Sequence, residues 1–409
     1  MRGVLGEFFG IFSFSRQVDL RRTIRRFAVV AVVSVCTMDA LSGCSKLRPK
    51  PEAQYVYVTA KQTFLRDRVA AVSNRTATVG NGDKLQVLEH GKRYVRVQTD
   101  KGEQGWIDEK AIATQDVYDQ FETLKQGHKA DPAIASGVVR DEVYMHVKPG
   151  RDTEKFYRLA EGEKLTLLQR ATLPKPLPPG TRVPKPVPVA PAAKGAKTTT
   201  PAPDEPAPPV MEDWWLVRDP RGDTGWLYSR MMDVDAPDAI TRYAEGQRVV
   251  GAYILTTVND PDAEQEDKNI PIYVTVMSPY KAGLTYDYDQ VRVFTWSVKK
   301  HRYETGFRDK NIEGYLPVTI KMAPDPYGKS ATATTPLPTF TYRVLADDAG
   351  PVIPDPVTGA IVPGKTITKT YRLEGNYVHR IIAPGTPTGG EAHPAQAEKK
   401  KDVKAKKKR

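Results

Sequence analysis

The sequence predicts a mainly β protein made of several small domains. With 409 residues, the chain is long enough for two to four domains of roughly 100 to 200 residues each. It contains 34 Pro and 30 Gly, and short runs of β-branched and aromatic residues alternate with turn residues, a pattern typical of strands joined by turns. One stretch of about 60 residues also occurs twice.

The repeat aligns without gaps over two segments. Residues 63–88 match 143–168 at a constant offset, and residues 94–106 match 214–226 at a larger one. Gly82-Asp83-Lys84-Leu85 meets Gly162-Glu163-Lys164-Leu165, and Gly105-Trp106 meets Gly225-Trp226. The chain therefore contains one domain twice, over residues 54–114 and 136–234, and its second copy is interrupted.

The order of these short strands, closed by a Gly-Trp-aliphatic strand, resembles the bacterial SH3 domain. This resemblance implies two SH3-like small β-barrels that bind cell-wall peptides or another envelope protein. The residues that we expect to form the barrel cores are Leu85, Gly105, Trp106, Leu165, Gly225 and Trp226. Neither copy has the Asn-Val-Arg-Ser-Gly-Pro run that is frequent in the early loop of that family, because Leu65-Arg66-Asp67 and Val147-Lys148-Pro149-Gly150 stand there.

The interruption of the second copy, residues 171–210, is rich in proline. It falls where the first copy has its four-residue turn, Glu89-His90-Gly91-Lys92. Such a composition buries too little apolar surface to fold and favours extended polyproline II, so we expect a disordered loop at the tip of a hairpin. A PxxP ligand for an SH3 groove is the alternative to a solvated spacer.

Two further regions complete the folded part. Residues 115–135 connect the two copies, and the stripe Val117, Phe121 and Leu124 predicts a helix there. A short helical segment, 235–246, follows the second copy. Residues 240–385 read as strand after strand, which predicts a β-rich, sandwich-like C-terminal domain of unknown topology. Residues 386–409 end in a Lys-rich run that we expect to be a disordered tail.

The N-terminal residues have the parts of a secretory signal. A basic cluster, Arg21 to Arg26, precedes an apolar stretch of about 12 residues, which is too short to span a membrane. Leu41, Ser42, Gly43 and Cys44 follow and resemble the bacterial lipobox, which implies a signal peptide over 1–43, acylation of Cys44 and a linker over 44–53. The resulting expectation is a lipid-anchored protein of the cell membrane or outer membrane that faces the periplasm.

The charge distribution argues against a nucleic-acid partner. The net charge is +12, but the last eleven residues hold eight Lys or Arg and one Asp, and the segment before Cys44 holds six Arg and three acids. The rest of the chain carries only about +2, so no basic nucleic-acid-binding face is indicated. Both cysteines lie in the first 44 residues, which leaves the folded part without a disulfide.

No arrangement of catalytic residues is recognisable, and we expect no catalytic residue, metal, cofactor or small-molecule substrate. The acidic loop 259–267 offers hard oxygen ligands for Ca²⁺, but it lacks the EF-hand spacing, which favours a solvated loop. Tyr303 and the nearby run 286–289 would offer aromatic and acidic groups to a glycan, although half-buried sheet aromatics explain them better.

The sequence therefore predicts a membrane-anchored envelope lipoprotein that acts as a non-catalytic binding or adaptor module for peptidoglycan or an envelope protein. The alternative is a structural or assembly lipoprotein whose C-terminal β domain carries the activity. An enzyme with an unfamiliar C-terminal site is the third hypothesis.

Overall fold

The computed structural model of the chain describes residues 53–70, 72–176, 209–386 and 389–394. The chain divides into two compact units, Met1–Gln54 and Tyr55–Arg409, and every element below belongs to the second. Within the described ranges, no helix is long and apolar enough to cross a membrane. The predicted signal segment and Cys44 lie outside the described residues.

The first barrel is a sheet of seven short antiparallel strands. They are β1 (Tyr55–Val58), β2 (Gln62–Arg66), β3 (Arg75–Gly80), β4 (Lys84–His90), β5 (Tyr94–Gln98), β6 (Gln104–Asp108) and β7 (Ile112–Thr114). The order across the sheet is β3-β2-β6-β5-β4-β1-β7. Alternate side chains point inwards, and Leu65, Leu85, Val97 and Ile107 are among those that fill the interior.

A helix, α1 (Gln115–Gly127), links the two barrels. Val117 and Phe121 on its predicted apolar stripe are buried, whereas Leu124 is only partly buried. The Phe121 ring packs edge-on against Tyr157 of the second barrel, with 5.4 Å between the ring centroids. The helix therefore contributes to the core of the second barrel.

The second barrel repeats the topology of the first. Its strands are β8 (Ala135–Val139), β9 (Val143–His146), β10 (Lys155–Leu159), β11 (Lys164–Pro174), β12 (Met211–Arg218), β13 (Thr224–Tyr228) and β14 (Met232–Val234). Their order, β10-β9-β13-β12-β11-β8-β14, is that of the first barrel strand for strand. Both copies also have a bulge at the same repeat position, between Val87 and Glu89 and between Leu167 and Gln169.

The predicted bounds of the proline-rich insertion, 171–210, are too wide. Strand β11 continues to Pro174 and stays paired with β12, and the Lys175 amide donates to the Val210 carbonyl at 2.7 Å. Ala171 is fully buried, and the Thr172 amide donates to the Gly359 carbonyl at 2.8 Å. These strand residues form part of the contact with the C-terminal domain, and residues 177–208 lie outside the described ranges.

The C-terminal domain is one seven-stranded antiparallel sheet in which the strands follow chain order. A short helix, α2 (Asp238–Thr241), precedes it. The strands are β15 (Gln247–Asn259), β16 (Asn269–Pro279), β17 (Tyr288–Ser297), β18 (Arg302–Ala323), β19 (Leu337–Leu345), β20 (Thr366–Glu374) and β21 (Tyr377–Ile381). The mainly β fold class is confirmed. Each strand of this domain pairs with its chain neighbours in one continuous sheet.

The second barrel and the C-terminal sheet share one apolar core. Met145, Leu167 and Val217 of the barrel belong to the same buried cluster as Val274 and Phe340 of the sheet. The first barrel has a separate core. Burial of apolar surface is the main favourable term in folding, so the second barrel depends on the C-terminal sheet more than the first does.

The C-terminal segment predicted as a tail, 386–409, includes residues that the structure describes. Residues 389–394 pack on the sheet: Glu391 forms a β-bridge with Ala346, and the Ala392 amide donates to the Leu345 carbonyl at 2.9 Å. The buried Lys369 ammonium lies 2.5 Å from the Glu391 carboxylate and 2.7 Å from that of Asp309. Because an unpaired buried ammonium is costly, this pairing accounts for the ordered position of Glu391.

Candidate binding face of the first barrel

The glycine of each Gly-Trp pair is required by the close approach of two strands. A Cβ atom on Gly105 would lie 2.7 Å from the Leu65 Cβ, and one on Gly225 would lie 2.6 Å from the Met145 Cβ. Leu65 and Met145 occupy the same position of the repeat. Gly105 and Gly225 therefore let β6 and β13 pack closely against β2 and β9, as their predicted structural role requires.

The tryptophan of the pair does not lie in the barrel interior, and the prediction that Trp106 is a core residue is wrong. Gly105 and Ile107 point inwards on β6, so the alternation of side chains along a strand places Trp106 on the outer face. It is only partly buried there. Leu85 and Leu165, by contrast, are almost fully buried in their barrel interiors.

Trp226 is also on the outer face, but it is covered. It is 7% exposed and belongs to a cluster with Leu168, Trp214 and Leu216 that is separate from the barrel interior. Trp226 thus packs in an apolar cluster on the outside of the barrel and not in the barrel interior that we predicted for it.

Strand pairing places Trp106 between two arginine side chains. In the sheet register, Arg66 on β2 is opposite Trp106, and Arg96 on β5 is opposite Trp106 from the other side. Arg75 on β3 is opposite Arg66 and extends the row. Directly opposed residues project from the same face of a sheet. This outer row of Arg75, Arg66, Trp106 and Arg96 is named the Arg-Trp face below.

The arginine side chains of the Arg-Trp face have neutral partners. Arg66 donates to the Ser73 hydroxyl at 2.9 Å, Arg96 donates to the Gln104 side-chain carbonyl at 3.2 Å, and the Arg75 guanidinium lies 3.8 Å from the centroid of the Phe64 ring. Among the described residues, none of the three guanidinium groups lies within 4.0 Å of a carboxylate. Arg fits carboxylate and phosphate groups in a bidentate geometry, so the face is suited to an anionic ligand.

A surface cavity of about 430 Å³ adjoins the Arg-Trp face. Its lining includes Arg66, Arg68, Val69 and Tyr94. Val69 is 54% exposed. The cavity adds apolar and aromatic surface next to the guanidinium groups. Such a combination suits a ligand that carries both apolar faces and acidic groups, as a glycan with acidic substituents does.

The second barrel does not present the same face. His146 stands at the repeat position of Arg66, and Leu216, which is fully buried, at that of Arg96. The cavity position of Tyr94 is taken by Trp214, which is 2% exposed. The Arg151 guanidinium lies 2.7 Å from the Glu212 carboxylate. Partial burial lowers the pKa of the His146 imidazole, so this position is less cationic than its counterpart.

A buried ionic cluster ties the second barrel to the C-terminal sheet. The Arg170 side chain on β11 is 4% exposed, and its Nε lies 2.8 Å from the Asp287 carboxylate. The same guanidinium donates to the carbonyls of Leu284 and Tyr286 at 2.8 and 2.6 Å. Multiple hydrogen bonds are what makes a buried charge tolerable. This arrangement is structural, because it holds the guanidinium within the protein between the two domains.

The two other groups weighed from the sequence have protein partners. The Asp260 carboxylate in the acidic loop accepts hydrogen bonds from the Trp296 indole at 2.7 Å and the His301 ring at 2.8 Å, which lower its pKa. Asp262 is the third residue within reach of a common point. Tyr303 and Tyr288 are buried in the sheet, so they are not available to a glycan.

Comparison with known proteins corrects the family that the repeat was taken to resemble. Residues 50–113 match the GW (Gly-Tryp) dipeptide domain, which has an SH3b-like fold. The first copy is therefore similar to a GW domain and not to the bacterial SH3 domain as expected, and the comparison shows no lipobox. The matched range ends before α1 and leaves the second barrel and the C-terminal sheet uncovered. No curated protein matches the chain.

Three solved structures share a weak likeness with the chain. An NlpC/P60 family protein from Bacillus cereus has 10% identity and a TM-score of 0.20, with 50% of this chain and 65% of that chain covered. NlpC2 and NlpC1 from Trichomonas vaginalis each have 8% identity and a TM-score of 0.14; 63% of this chain is covered in both, with 93% and 89% of theirs. The chain thus spans about two thirds of the bacterial protein. The part of the chain that can be identified is its first barrel, which is similar to the GW dipeptide domain over residues 50–113.

Proposed function

We propose that the chain is a non-catalytic wall-binding protein of the bacterial envelope, and that it binds through the Arg-Trp face of the first barrel. The observation that carries the proposal is the register that sets Trp106 between Arg66 and Arg96 on the outer surface. GW domains bind cell-wall components, peptidoglycan among them. The first barrel is the part of the chain that is similar to them.

The proposed ligand is a wall polymer that combines sugar rings with acidic groups. Peptidoglycan has both, since its peptides carry carboxylates. The partly exposed Trp106 ring offers an apolar surface for a sugar face, and the flanking guanidinium groups offer donors for carboxylates. Each hydrogen bond to a charged group contributes about 1.5 to 3 kcal/mol. Two such contacts provide measurable affinity for a polymer that presents many sites.

The proposal includes a location in the envelope. The basic cluster and apolar stretch of the first 40 residues support export, because these are the parts of a secretory signal. Fractionation of cells that produce the tagged full chain tests this part. Recovery in the cytosolic fraction would contradict export without bearing on what the Arg-Trp face binds.

The binding test is co-sedimentation of the full chain with purified sacculi. We expect the double variant Arg66→Ala/Arg96→Ala to lose about tenfold or more in affinity, because it removes two charge-assisted contacts. Lys101→Ala in an exposed turn of the same barrel is the matched control, and it should bind as the unmodified chain does. Equal binding by all three proteins would refute the role of the Arg-Trp face.

A second candidate function is supported by the core that the second barrel shares with the C-terminal sheet. In this alternative the chain is a structural or assembly protein of the envelope, and the C-terminal β domain carries the activity. Wall binding that survives the loss of Arg66 and Arg96 would favour it.

A further inference from the structure

A second binding surface lies around Trp226, where three parts of the molecule meet. A groove of about 860 Å³ is bordered by α1, by the early loop of the second barrel and by a turn of the C-terminal domain. Trp226 and Val147 are buried at its base, Leu124 and Pro149 are partly exposed, and Val357 on the turn is 83% exposed. This surface is named the Trp226 groove.

The Trp226 groove is apolar at its base and acidic on one wall. Asp116 and Asp119 project from the exposed side of α1 and line it. Their recorded hydrogen bonds are from neutral side chains, Gln120 at 2.9 Å and Gln115 at 2.7 Å. No ammonium or guanidinium group among the described residues lies within 4.0 Å of either carboxylate. Lys148 of the early loop and His128 also line the groove, so its acidic character is confined to the α1 wall. That wall suits an apolar ligand that carries positive charge.

The chain itself carries a segment of that chemistry close to the groove. Residues 177–208 include ten prolines and four basic residues against two acidic ones, and Pro188-Val189-Ala190-Pro191 has the P-x-x-P spacing. Proline-rich segments bind aromatic-lined grooves with little loss of conformational entropy. A segment tethered next to its site is present there at an effective concentration in the millimolar range.

The point where this segment leaves the barrel is near one wall of the groove. Gln169 on β11 lines the groove, and the strand ends five residues later at Pro174, a distance of about 17 Å at the usual rise. Gly359, beside the groove residues Thr358 and Ala360, accepts a hydrogen bond from Thr172 on the same strand. At about 3.3 Å per extended residue, roughly six residues of chain span this distance, and the segment is longer than that.

We propose that the Trp226 groove binds the proline-rich segment of its own chain, residues 177–208, with Arg182 and Lys185 facing the acidic wall. The contact concerns the second barrel and is independent of wall binding by the first. Removing it leaves both barrels folded, because the strands that carry the segment are paired up to Lys175 and Val210 without it.

Limited trypsin digestion of the full chain tests the proposal. Two bonds within the segment are compared, Arg182–Val183 and Lys197–Thr198, each relative to its cleavage rate in a free peptide of residues 177–208. A docking equilibrium of about 10:1 slows cleavage about tenfold, and we expect this at Arg182–Val183. Equal relative rates at both bonds in the unmodified chain would overturn the proposal.

Two substitutions in one loop make a matched pair for the groove. Val357→Lys lies in the groove and adds a charge that repels a basic segment, whereas Ile353→Lys lies outside its lining, and both residues are exposed in the structure, at 83% and 76%. Protection of Arg182–Val183 should be lost in the first variant and kept in the second. Loss in both, or in neither, would overturn the assignment to this groove. Protection that disappears on dilution would place the segment on a second copy of the chain and overturn binding within one chain.

Discussion

The two residues of the Gly-Trp pair have different roles in the first barrel. Substituting Gly105 should affect the stability of the barrel, and substituting Trp106 should affect its binding. Gly105→Ala places a Cβ atom 2.6 Å from the Thr76 hydroxyl, 2.7 Å from the Leu65 Cβ and 3.0 Å from the Arg66 carbonyl. Two of these three atoms belong to β2, one of them to its backbone, so relief requires β2 and β6 to move apart. We expect the first barrel to lose stability.

The size of the loss follows from the geometry. Overpacking by one methyl group typically costs about 1 to 3 kcal/mol. A domain of about 60 residues has only a few kcal/mol of stability in total. Each kcal/mol shifts the midpoint of such a domain by roughly 4 to 8 °C. Gly105→Ala should therefore lower the unfolding temperature of the first barrel by several degrees to about 20 °C.

The assay must report on the first barrel alone, since the chain has more than one folding unit. Hydrogen exchange followed by mass spectrometry resolves peptides from residues 54–114, and scanning calorimetry gives the matching transition. Gly127→Ala, at the end of α1 with no atom within 4 Å of the added Cβ, is the control for the chemical change. Unchanged exchange in Gly105→Ala would refute the argument that close strand approach selects glycine here.

Four further outcomes are expected. Trp106→Ala should leave hydrogen exchange in the first barrel nearly unchanged and reduce sedimentation with sacculi, because the ring is on the outer face. If the variant barrel unfolds, Trp106 is a core residue after all. Replacing residues 176–209 by a four-residue turn should preserve cooperative unfolding in calorimetry and change the stability of the second barrel by less than about 1 kcal/mol, since the gain of about 1 to 2 kcal/mol from closing a shorter loop is offset by the loss of a docking contact worth about 1.4 kcal/mol; loss of the transition would show that the barrel needs the segment to fold. Arg170→Met should destabilise the second barrel by about 3 to 5 kcal/mol in urea unfolding, because it leaves buried carboxylates without their partner, whereas Arg140→Met, at an exposed pair with Asp233, should cost less than about 1 kcal/mol; similar losses in both would contradict this. Burial lowers the pKa of His146 in the folded state, so the unfolded chain binds the proton more readily and stability falls as the pH drops from about 7 to 5; His146→Gln should show a smaller fall, and an identical fall would exclude this imidazole as the cause.

The topology of the two barrels was predictable because the repeat is local in sequence. Glycines at turn positions and alternating apolar residues specify short antiparallel hairpins, and two copies at constant offsets require the same fold twice. The C-terminal sheet was predictable as β structure only. Its single-sheet meander depends on which side chains share the core with the second barrel, and no residue pattern within one strand encodes that.

The outward position of Trp106 could have been read from alternation. Gly105 and Ile107 flank Trp106 in the sequence, so both lie on the face of the strand opposite to Trp106. The Gly-Trp pair alone does not indicate whether the glycine or the tryptophan faces the core, but the apolar Ile107 on the side of Gly105 does. The alignment of the copies also held the signal for the binding face. Arg66 and Arg96 meet His146 and Leu216, whereas Arg75 meets Lys155, so the two arginines beside Trp106 have no arginine or lysine counterpart in the second copy. The pairing of β2 with β6 is non-local, and only the structure brings Arg66 to Trp106.

The difference between the copies follows from what covers them. In the second barrel the outer face packs under the turn at Gly359 and Ala360, which β11 contacts through Ala171 and Thr172. Burying an unpaired guanidinium group there would cost several kcal/mol, and the corresponding positions hold Leu216 and Trp214. In the first barrel nothing in the described part of the chain covers this face, so exposed arginine side chains incur no such cost. The two copies of the barrel thus differ in their surroundings: one copy is built into the C-terminal domain, and the other keeps its outer face exposed, as the proposed wall binding requires.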